Sequence, residues 1–315
     1  MKKALVVAVV GPTASGKTAL AIEIAKHLGG EIVSADSMQI YKNMDIATAK
    51  PTKAELSEVK HHLIGFLEPD ESFSVAMYKK YATEAIEDIL SRGKTPVVVG
   101  GTGLYIDTLI NNTEFLDYEQ SDIRAKLEEK ATEEGTEALY NELMSIDPET
   151  AKRLHINDEK RIIRALEVYY STGMTISKQC ELSHLNESEY SWCVIGLTSR
   201  DRQFLYDRIN LRVDLMLEEG LIEETKAFFS SSVSKTAKQA IGYKELKSYL
   251  DGECTLEEAL DNLKMQTRRY AKRQLTWFRR NEAVNWFEID TLTKEEIIKK
   301  ALEIINSKVI FNEEN

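Results

Sequence analysis

The chain has 315 residues, of which 43% are hydrophobic, and a formal net charge of −11. This length exceeds that of a single small module, so we expect one domain with an insertion, or two domains. Acidic residues outnumber basic ones, 52 to 41, so any nucleic-acid contact needs a segregated basic face. Three cysteines without CxxC spacing indicate neither a disulfide framework nor a zinc site.

The sequence predicts neither a secretory signal nor a membrane span. An apolar run at residues 4–10 leads directly into a Gly-rich segment, which is unlike a secretory signal. No later segment approaches the roughly 18 apolar residues that a membrane span requires. We therefore expect a soluble, cytoplasmic protein with no membrane partner, and we expect it to be a monomer.

The first hundred residues alternate strand and helix patterns. Apolar, β-branched runs predict strands at residues 4–10, 31–35 and 95–99, and helical spacing predicts helices at 17–28 and 74–91. Consecutive strand, helix and strand with both faces covered indicate a parallel sheet. The predicted fold class is therefore α/β, with a P-loop NTPase-like parallel sheet flanked by helices and an inserted helical domain.

The insertion is predicted at residues 113–190, where the sequence becomes charged and helix-rich. Asp147 and Pro148 start one helix there, and Asn157 is expected to cap another that ends at Gly173. A strand returns at 192–197, and the rest is predicted to be helical, at 201–219, 222–229, 242–250 and 256–278. The catalytic core is thus expected at residues 1–112 and 191–315.

Residues 11–18 match the phosphate-loop pattern G-x4-G-K-T between a strand and a helix. In this pattern the backbone N–H groups cradle phosphates, Lys17 adds a charge and the Thr18 hydroxyl can bind Mg²⁺. The pattern is also that of nucleotide-binding and ATP-binding enzymes. The predicted phosphate-binding residues are Gly11, Pro12, Thr13, Ala14, Ser15, Gly16, Lys17 and Thr18.

Two further strand ends carry candidate residues. Asp36 follows the second strand, where it is either a ligand-facing carboxylate or a turn residue. Thr102 follows the third long strand in a Gly-rich loop that admits close approach of a substrate or simply makes a turn. Neither strand ends in the acidic residue of an ordinary magnesium-binding ATPase, so standard ATP hydrolysis is not expected.

Residues 264–280 hold seven basic residues and no acidic one in a chain that is acidic overall. On a helix these cations fall on one half, with an apolar half opposite, so a polyanion is favoured over a merely solvated face. A second basic cluster comprises Lys160, Arg161 and Arg164, and two positive sites on two domains suggest a clamp. Arg212, one turn after Arg208, can reach a diphosphate or can belong to an exposed helix.

Several segments in order resemble the tRNA dimethylallyltransferase family, the bacterial adenosine prenyltransferases. The segments are GPTASGKT at 11–18, DSMQ at 36–39 with Tyr41, MDIATAKP at 44–51, GGTGLY at 100–105, ND at 157–158 with 161–168, AIGYK at 240–244, and TR at 267–268 with 271–279. The resemblance runs from about residue 5 to 285.

This resemblance implies transfer of a dimethylallyl group from dimethylallyl diphosphate to N6 of adenosine 37 in tRNA, giving isopentenyladenosine and diphosphate. It makes residues 11–18 the donor site, with Mg²⁺ as cofactor, and tRNA the acceptor. Together with the chemistry of a diphosphate leaving group, it predicts Asp36, Lys17, Thr18, Thr102 and Arg212 as the catalytic residues. The implied tRNA-binding residues are Asp36, Ser37, Met38, Gln39, Thr102, Arg124, Lys160, Arg161, Ile162, Ile163, Arg164, Gln239, Ala240, Ile241, Gly242, Tyr243, Lys244, Lys272, Arg273, Gln274, Leu275, Thr276, Trp277, Phe278 and Arg279.

Two departures from the family pattern stand out. The family's His-Pro-Asn-Asp segment reads His155-Ile156-Asn157-Asp158, which removes a rigid turn residue. The zinc-binding C-terminal extension of eukaryotic relatives is expected to be absent.

Two other functions stay open from the motifs alone. A small-molecule kinase shares the phosphate loop and a strand-end Asp, and it would phosphorylate an acceptor without RNA affinity. A non-catalytic RNA-binding module with a nucleotide switch would bind tRNA even without Asp36. We expect dimethylallyl diphosphate as the productive ligand, with ATP binding weakly or unproductively.

Overall fold

The computed structural model describes residues 3–115, 122–185 and 188–314. The chain forms two compact units. The first comprises the chain up to Ile110 and from Glu189 onward, and the second is Asn111–Ser188. In the described part of the chain, no helix is long and apolar enough to cross a membrane.

The first unit is built on one parallel sheet. Its strands are β1 Ala4–Val10, β2 Glu31–Ser34, β3 His61–His62, β4 Pro96–Gly100, β5 Tyr190–Thr198 and β6 Val284–Glu288. The spatial order is β3-β2-β4-β1-β5-β6, and every neighbouring pair is parallel. The predicted α/β class and parallel sheet are confirmed.

Helices account for most of the remaining chain. They are α1 Lys17–His27, α2 Lys53–Glu58, α3 Val75–Ser91, α4 Gly103–Ile110, α5 Ile123–Glu134, α6 Thr136–Ile146, α7 Pro148–Arg153, α8 Glu159–Thr172, α9 Ile176–Leu185, α10 Arg202–Glu218, α11 Leu221–Ser230, α12 Tyr243–Leu250, α13 Leu256–Phe278 and α14 Lys294–Glu314. A short 3-10 turn lies at Ala237–Gln239.

Both faces of the sheet are covered, which explains why β1 reads as an uninterrupted apolar run. Successive side chains of a strand point to opposite faces. Val6, Ala8 and Val10 therefore belong to the core cluster that contains the buried residues of α3. Val7 and Val9 belong to the cluster that contains those of α1 and α14. A strand buried on both sides needs no polar alternation.

The second unit is a helical cluster. The described part of this unit contains α5 to α9, packed around a core that includes Leu139, Leu143 and Leu166. Asp147 caps α7 by accepting the N–H of Thr150 at 3.0 Å, and it also accepts the N–H of Ser177 at 3.0 Å. The predicted cap with Pro at the first helical position is confirmed.

Two local predictions are wrong. The cap of α8 is Asp158 rather than Asn157, because Asp158 closes a turn onto the carbonyl of His155 at 2.8 Å. Residues 284–288 form β6, although that region was predicted to be helical. β6 pairs only with β5 and is only partly buried, so its sequence lacks the continuous apolar run of an inner strand.

Candidate active site

Three loops meet at one edge of the sheet because β2, β4 and β1 are neighbours in space. The phosphate loop follows β1, Asp36 follows β2, and Gly101 and Thr102 follow β4. The carboxyl ends of parallel strands form the ligand crevice of such sheets. The three predicted loops are therefore assembled at one place by the strand order.

The phosphate loop depends on its glycines. Gly16 precedes α1 with a φ of 90°, in the left-handed region that glycine adopts without strain. Gly11 has a φ of 149°, and a Cβ there would lie 2.8 Å from the carbonyl oxygen of Leu197. The loop leads into the N-terminus of α1, whose first turn holds no acidic residue. This end of the helix favours an anion.

Lys17 is held inside the site. Its Nζ donates to the carbonyl of Pro12 at 3.3 Å. Burial lowers the pKa of Lys17 to about 8, the charge of Asp36 opposes this shift, and the charge of Arg212 adds to it. The ammonium has lost part of its hydration on burial, so an anionic ligand that contacts Lys17 would compensate for that loss.

Two arginines of α10 approach the same loop. Arg208 donates from Nε to the carbonyl of Ala14 at 2.8 Å, and Arg212 donates to the hydroxyl of Thr13 at 3.4 Å. Burial lowers the pKa of Arg212, and the charge of Arg208 acts in the same direction. Both arginines therefore contact the phosphate loop, which a helix face open only to solvent would not show. Contact with a diphosphate stays a prediction.

Asp36 is fixed by its own turn. One of its oxygens, Oδ1, accepts the N–H of Met38 at 2.9 Å and that of Gln39 at 3.3 Å. The N–H of Ser37 donates to the Thr102 hydroxyl at 3.0 Å, and Thr102 donates its own N–H to the carbonyl of Ala35 at 3.2 Å. Asp36 is thus a turn residue that also lines the cavity, and its role toward a ligand stays a prediction.

A cavity of about 370 Å³ joins these groups. Its polar lining includes Thr13, Lys17, Thr18, Asp36 and Arg212. Its apolar lining includes Ile209, Val213, Met216, Leu221, Ile241 and Leu263. The cavity can therefore receive an anionic group and an apolar group together. Sequence reasoning missed this apolar lining, although the i, i+4, i+7 spacing of three of its residues on α10 was available as a signal.

One wall of the cavity is anchored by Glu224, which sequence reasoning also missed. Its Oε2 accepts the N–H groups of Asp45 and Ile46 at 2.9 and 2.8 Å. Its Oε1 accepts the N–H of Ala47 at 2.9 Å and the hydroxyl of Tyr243 at 2.8 Å. Glu224 thereby fastens residues 45–47 to the start of α12. No local motif marks this residue, because its partners lie far away in sequence.

The basic helix α13 presents two different faces. The exposed cations are Arg269, Lys272, Arg273, Arg279 and Arg280. The other two cations contact α10, since Lys264 forms an ion pair with Asp214 at 2.6 Å and Arg268 donates to Asn210 at 2.7 Å. Five of the seven predicted cations are therefore open to a polyanion.

The inner face of α13 lines the site. Tyr270 and the buried Gln274 line the cavity, and the exposed Arg273 also contributes to its lining. Phe278 lies in the main core, whereas Trp277 donates from Nε1 to Asp107 at 2.7 Å and carries Arg280 over its ring at 4.0 Å.

The predicted tRNA-binding residues differ in exposure. In the second unit, Lys160, Arg161 and Arg164 are exposed, whereas Ile162 and Ile163 are buried in the helical core. Arg124 is ion-paired with Glu128 at 3.0 Å and with Glu167 at 3.4 Å.

The first unit shows the same division. At residues 239–244, Gln239 and Lys244 are exposed, while Ala240, Gly242 and Tyr243 are buried. Thr276 on α13 is exposed, and Leu275 is partly buried against the cluster of Leu205. The buried side chains support these segments from inside, whereas the exposed neighbours and the cavity-lining Ser37, Met38 and Gln39 are accessible to a ligand.

Family models and similar proteins all point to the same family of transferases. The family model described as IPP transferase matches residues 39–281, and the one described as isopentenyl transferase matches residues 4–68. The tRNA dimethylallyltransferase of Acetivibrio thermocellus is 53% identical over 300 residues, covering 94% of this chain and 96% of that protein. The enzyme of the same name from Thermoanaerobacter pseudethanolicus is 52% identical over 299 residues, covering 94% of this chain and 95% of that protein.

Solved structures agree with this result. The full-length tRNA isopentenylpyrophosphate transferase of Bacillus halodurans superposes with a TM-score of 0.73 at 45% identity, covering 99% of this chain and 100% of that one. A eukaryotic dimethylallyltransferase acting on tRNA gives a TM-score of 0.84 at 28% identity, covering 97% of this chain and 79% of that one.

Proposed function

The chain belongs to the tRNA dimethylallyltransferase family, and from that premise we propose that it transfers a dimethylallyl group from dimethylallyl diphosphate to N6 of adenosine 37 in tRNA. The observation that carries this proposal is that one cavity is lined by Lys17, Arg212 and Asp36 and also by apolar side chains. A prenyl diphosphate fits such a cavity, because its anionic head can contact the cations and its short apolar tail can contact the apolar side chains.

The donor diphosphate is assigned to the phosphate loop. The N–H groups at the start of α1, the ammonium of Lys17 and the guanidinium of Arg212 would hold its oxygens. When the carbon–oxygen bond of the donor breaks, negative charge grows on the leaving diphosphate. Cations already fixed in a partly buried site stabilise that charge without reorganising. This makes the diphosphate a better leaving group.

Asp36 is assigned to the acceptor. The N6 amine of adenine is a weak nucleophile because its lone pair is delocalised into the ring. A carboxylate aligned on the N–H accepts the proton as the new nitrogen–carbon bond forms, so that no net charge is left on the base. Because Oδ1 of Asp36 is held by two backbone N–H groups, the carboxylate keeps a fixed direction. Thr102 would support the same base from the neighbouring loop.

The residues fit a Mg²⁺ ion that is bound mostly by the substrate. Thr18 follows Lys17 and lines the cavity. Among residues 3–115, 122–185 and 188–314, no group of three His, Cys, Asp or Glu side chains is arranged to hold a metal. Mg²⁺ commonly keeps several waters and binds through substrate phosphates. The Thr18 hydroxyl would hold it beside the diphosphate, where it would help to neutralise the negative charge.

The tRNA is assigned to exposed cations in both units. On α13 and directly after its end these are Arg269, Lys272, Arg273 and Arg279, and on α8 they are Lys160, Arg161 and Arg164. Contacts of this kind neutralise phosphates without reading sequence. The adenine must leave the stacked anticodon loop to reach the cavity, which costs a few kcal/mol and is offset by such contacts.

The decisive experiment supplies purified protein with tRNA and either dimethylallyl diphosphate or ATP, each with Mg²⁺. Nucleosides are then analysed by mass spectrometry, and released diphosphate or phosphate is measured. We expect prenylated adenosine and stoichiometric diphosphate without ATP. Transfer of phosphate from ATP to a small acceptor, with no prenylated product, would assign the site to a kinase. Binding of tRNA without product under any condition would leave only an RNA-binding module.

A further inference from the structure

Gln274 occupies an unusual place on α13. It is 5% exposed, although its neighbours Lys272 and Arg273 face solvent. Its side-chain oxygen accepts the N–H of Thr13 at 2.8 Å, and its side-chain nitrogen donates to the carbonyl of Gly101 at 2.9 Å. One amide therefore bridges the phosphate loop and the loop after β4.

The fit of this amide is tight on the Gly101 side. A Cβ on Gly101 would lie 2.1 Å from the Gln274 nitrogen, and Gly101 is itself buried. A side chain at position 101 would therefore displace the Gln274 amide from its present position. Moving the two loops apart would break at least one of the two hydrogen bonds of this buried amide, which costs free energy.

The two bridged loops serve different substrates. The phosphate loop is the proposed donor site, while the loop after β4 carries Thr102, which holds Ser37 beside Asp36. From this we propose that Gln274 is a positioning residue, which sets the distance between the bound donor and the acceptor adenine. This inference rests on the proposed function and goes beyond it, because Gln274 then acts inside the site rather than on tRNA.

The expected consequence is a loss of rate more than of binding. The donor still meets the phosphate-loop N–H groups and Lys17 when the bridge is absent, and tRNA still meets the exposed cations of α13. The reacting atoms, however, no longer meet at the required distance, and a displacement of about 1 Å can cost roughly 100-fold in rate. A residue that contacts tRNA directly would instead raise KM for tRNA.

The first test replaces the amide by an apolar side chain of similar size, Gln274→Met. We expect kcat to fall by about 10- to 100-fold, with the Kd for dimethylallyl diphosphate and the KM for tRNA changing less than about threefold. The matched control is Gln266→Met on the same helix, whose amide donates only one turn back to Asn262 at 3.4 Å among the contacts described. This control should keep wild-type kinetics.

The second test uses Gln274→Glu, which keeps the shape of the side chain. An ionised carboxylate still accepts the Thr13 N–H but meets the Gly101 carbonyl with no proton, whereas a protonated carboxyl restores the donor. Because Gln274 is buried, a carboxyl at its position has a raised pKa, so the ratio of variant to wild-type kcat should rise about fivefold as the pH falls from 8 to 6. Dividing by the wild-type rate removes the titration of other groups.

Three results would overturn the assignment. Wild-type kcat in Gln274→Met, a raised KM for tRNA at unchanged kcat, or a pH-independent ratio for Gln274→Glu would each remove the positioning role. If Gln274→Met does not fold, as judged by circular dichroism, the pH ratio of Gln274→Glu decides alone. Failure of the proposed function itself is recognised separately, because the wild-type protein would then yield no prenylated adenosine.

Discussion

The two ends of strand β2 carry carboxylates with opposite environments. Glu31, at the start of β2, has a side chain that is only 3% exposed. It accepts hydrogen bonds from both terminal guanidinium nitrogens of Arg92 and from Lys94 at 2.8 Å, and it is hydrogen-bonded to His62 at 2.8 Å. Asp36, just beyond the other end, accepts only backbone N–H groups among its described hydrogen bonds and faces the cavity.

The two ends of one strand in a parallel sheet can thus hold carboxylates suited to different roles. The carboxylate surrounded by cations is suited to stabilising the fold, and the one that faces the cavity is suited to contact with a ligand. At the amino end of β2, cations neutralise the carboxylate completely, and hydrogen bonds from Arg92 hold the pKa of Glu31 well below its usual range. At the carboxyl end, the cations Lys17 and Arg212 sit within electrostatic reach of Asp36 but are also open to a ligand. Residue type alone does not distinguish the two roles.

The largest expected effect comes from removing the cavity carboxylate with Asp36→Ala. The rate of adenosine prenylation should fall by about 10²- to 10⁴-fold, the usual range for a positioned acid or base. Binding of tRNA should change little, because the exposed cations are untouched. The measurement is single-turnover prenylation beside a filter-binding titration. A near wild-type rate would show that the carboxylate has no part in the chemistry.

A substitution of Glu31, at the other end of β2, should change stability rather than catalytic rate. Glu31→Gln removes the charge that Arg92 and Lys94 surround, and we expect a loss of about 2 to 3 kcal/mol in the free energy of unfolding. This is below the full cost of breaking a buried pair, because those two cations are partly in water. The catalytic rate of the folded fraction should stay near wild type.

The pH dependence of stability provides a further check on Glu31. Because the folded-state pKa is lowered, its contribution is fully present above the unfolded value of about 4.3 and is lost as the pH falls below it. Urea unfolding between pH 3 and 6 should therefore show a shallower pH slope for Glu31→Gln than for wild type. Equal slopes would mean that another group is responsible.

The sequence predicted the parts of the site that are contiguous. Residues 11–18 form one loop whose signal is complete in eight positions, and Asp36 and Thr102 could be placed because parallel strands end at a common edge. The fold class followed from the same alternation of elements. The assigned roles of these residues remain predictions.

The parts that could not be predicted depend on distant partners. Gln274 bonds residues that lie 261 and 173 positions away, and Glu224 bonds residues about 180 positions away. Glu31 likewise is neutralised by residues of later elements. A single sequence carries a local signal for caps and loops but none for such pairings. The partly buried edge strand β6 was missed for a related reason, since its burial comes from only one neighbouring strand.

The next effect in size concerns the exposed face of α13. Replacing Arg269 and Arg273 by Gln should remove two phosphate contacts, lowering the log–log salt slope of tRNA binding by about 0.7 to 0.9 for each. At 0.1 M salt this corresponds to roughly 40-fold weaker binding. Lys264→Gln is the matched control, because Lys264 is ion-paired with Asp214 and should leave the slope unchanged. An unchanged slope in the double variant would make this face a solvated one.

The smallest expected effect tests whether Lys17 titrates as its burial implies. Its pKa of about 8 means that Lys17 is mostly charged at pH 7 and mostly neutral at pH 9 in the free protein. A bound diphosphate favours the charged form, so binding must take up a proton once the pH exceeds that value. The affinity for dimethylallyl diphosphate should therefore fall about tenfold between pH 7 and 9, with uptake of about half a proton at pH 8. Calorimetry in buffers of different ionisation enthalpy measures both quantities.

The control for this prediction is Lys17→Arg. Its side chain stays charged throughout this pH range, so the affinity of the variant for dimethylallyl diphosphate, even if weaker, should lose this pH dependence. The same dependence in that variant would locate the titrating group elsewhere in the cavity.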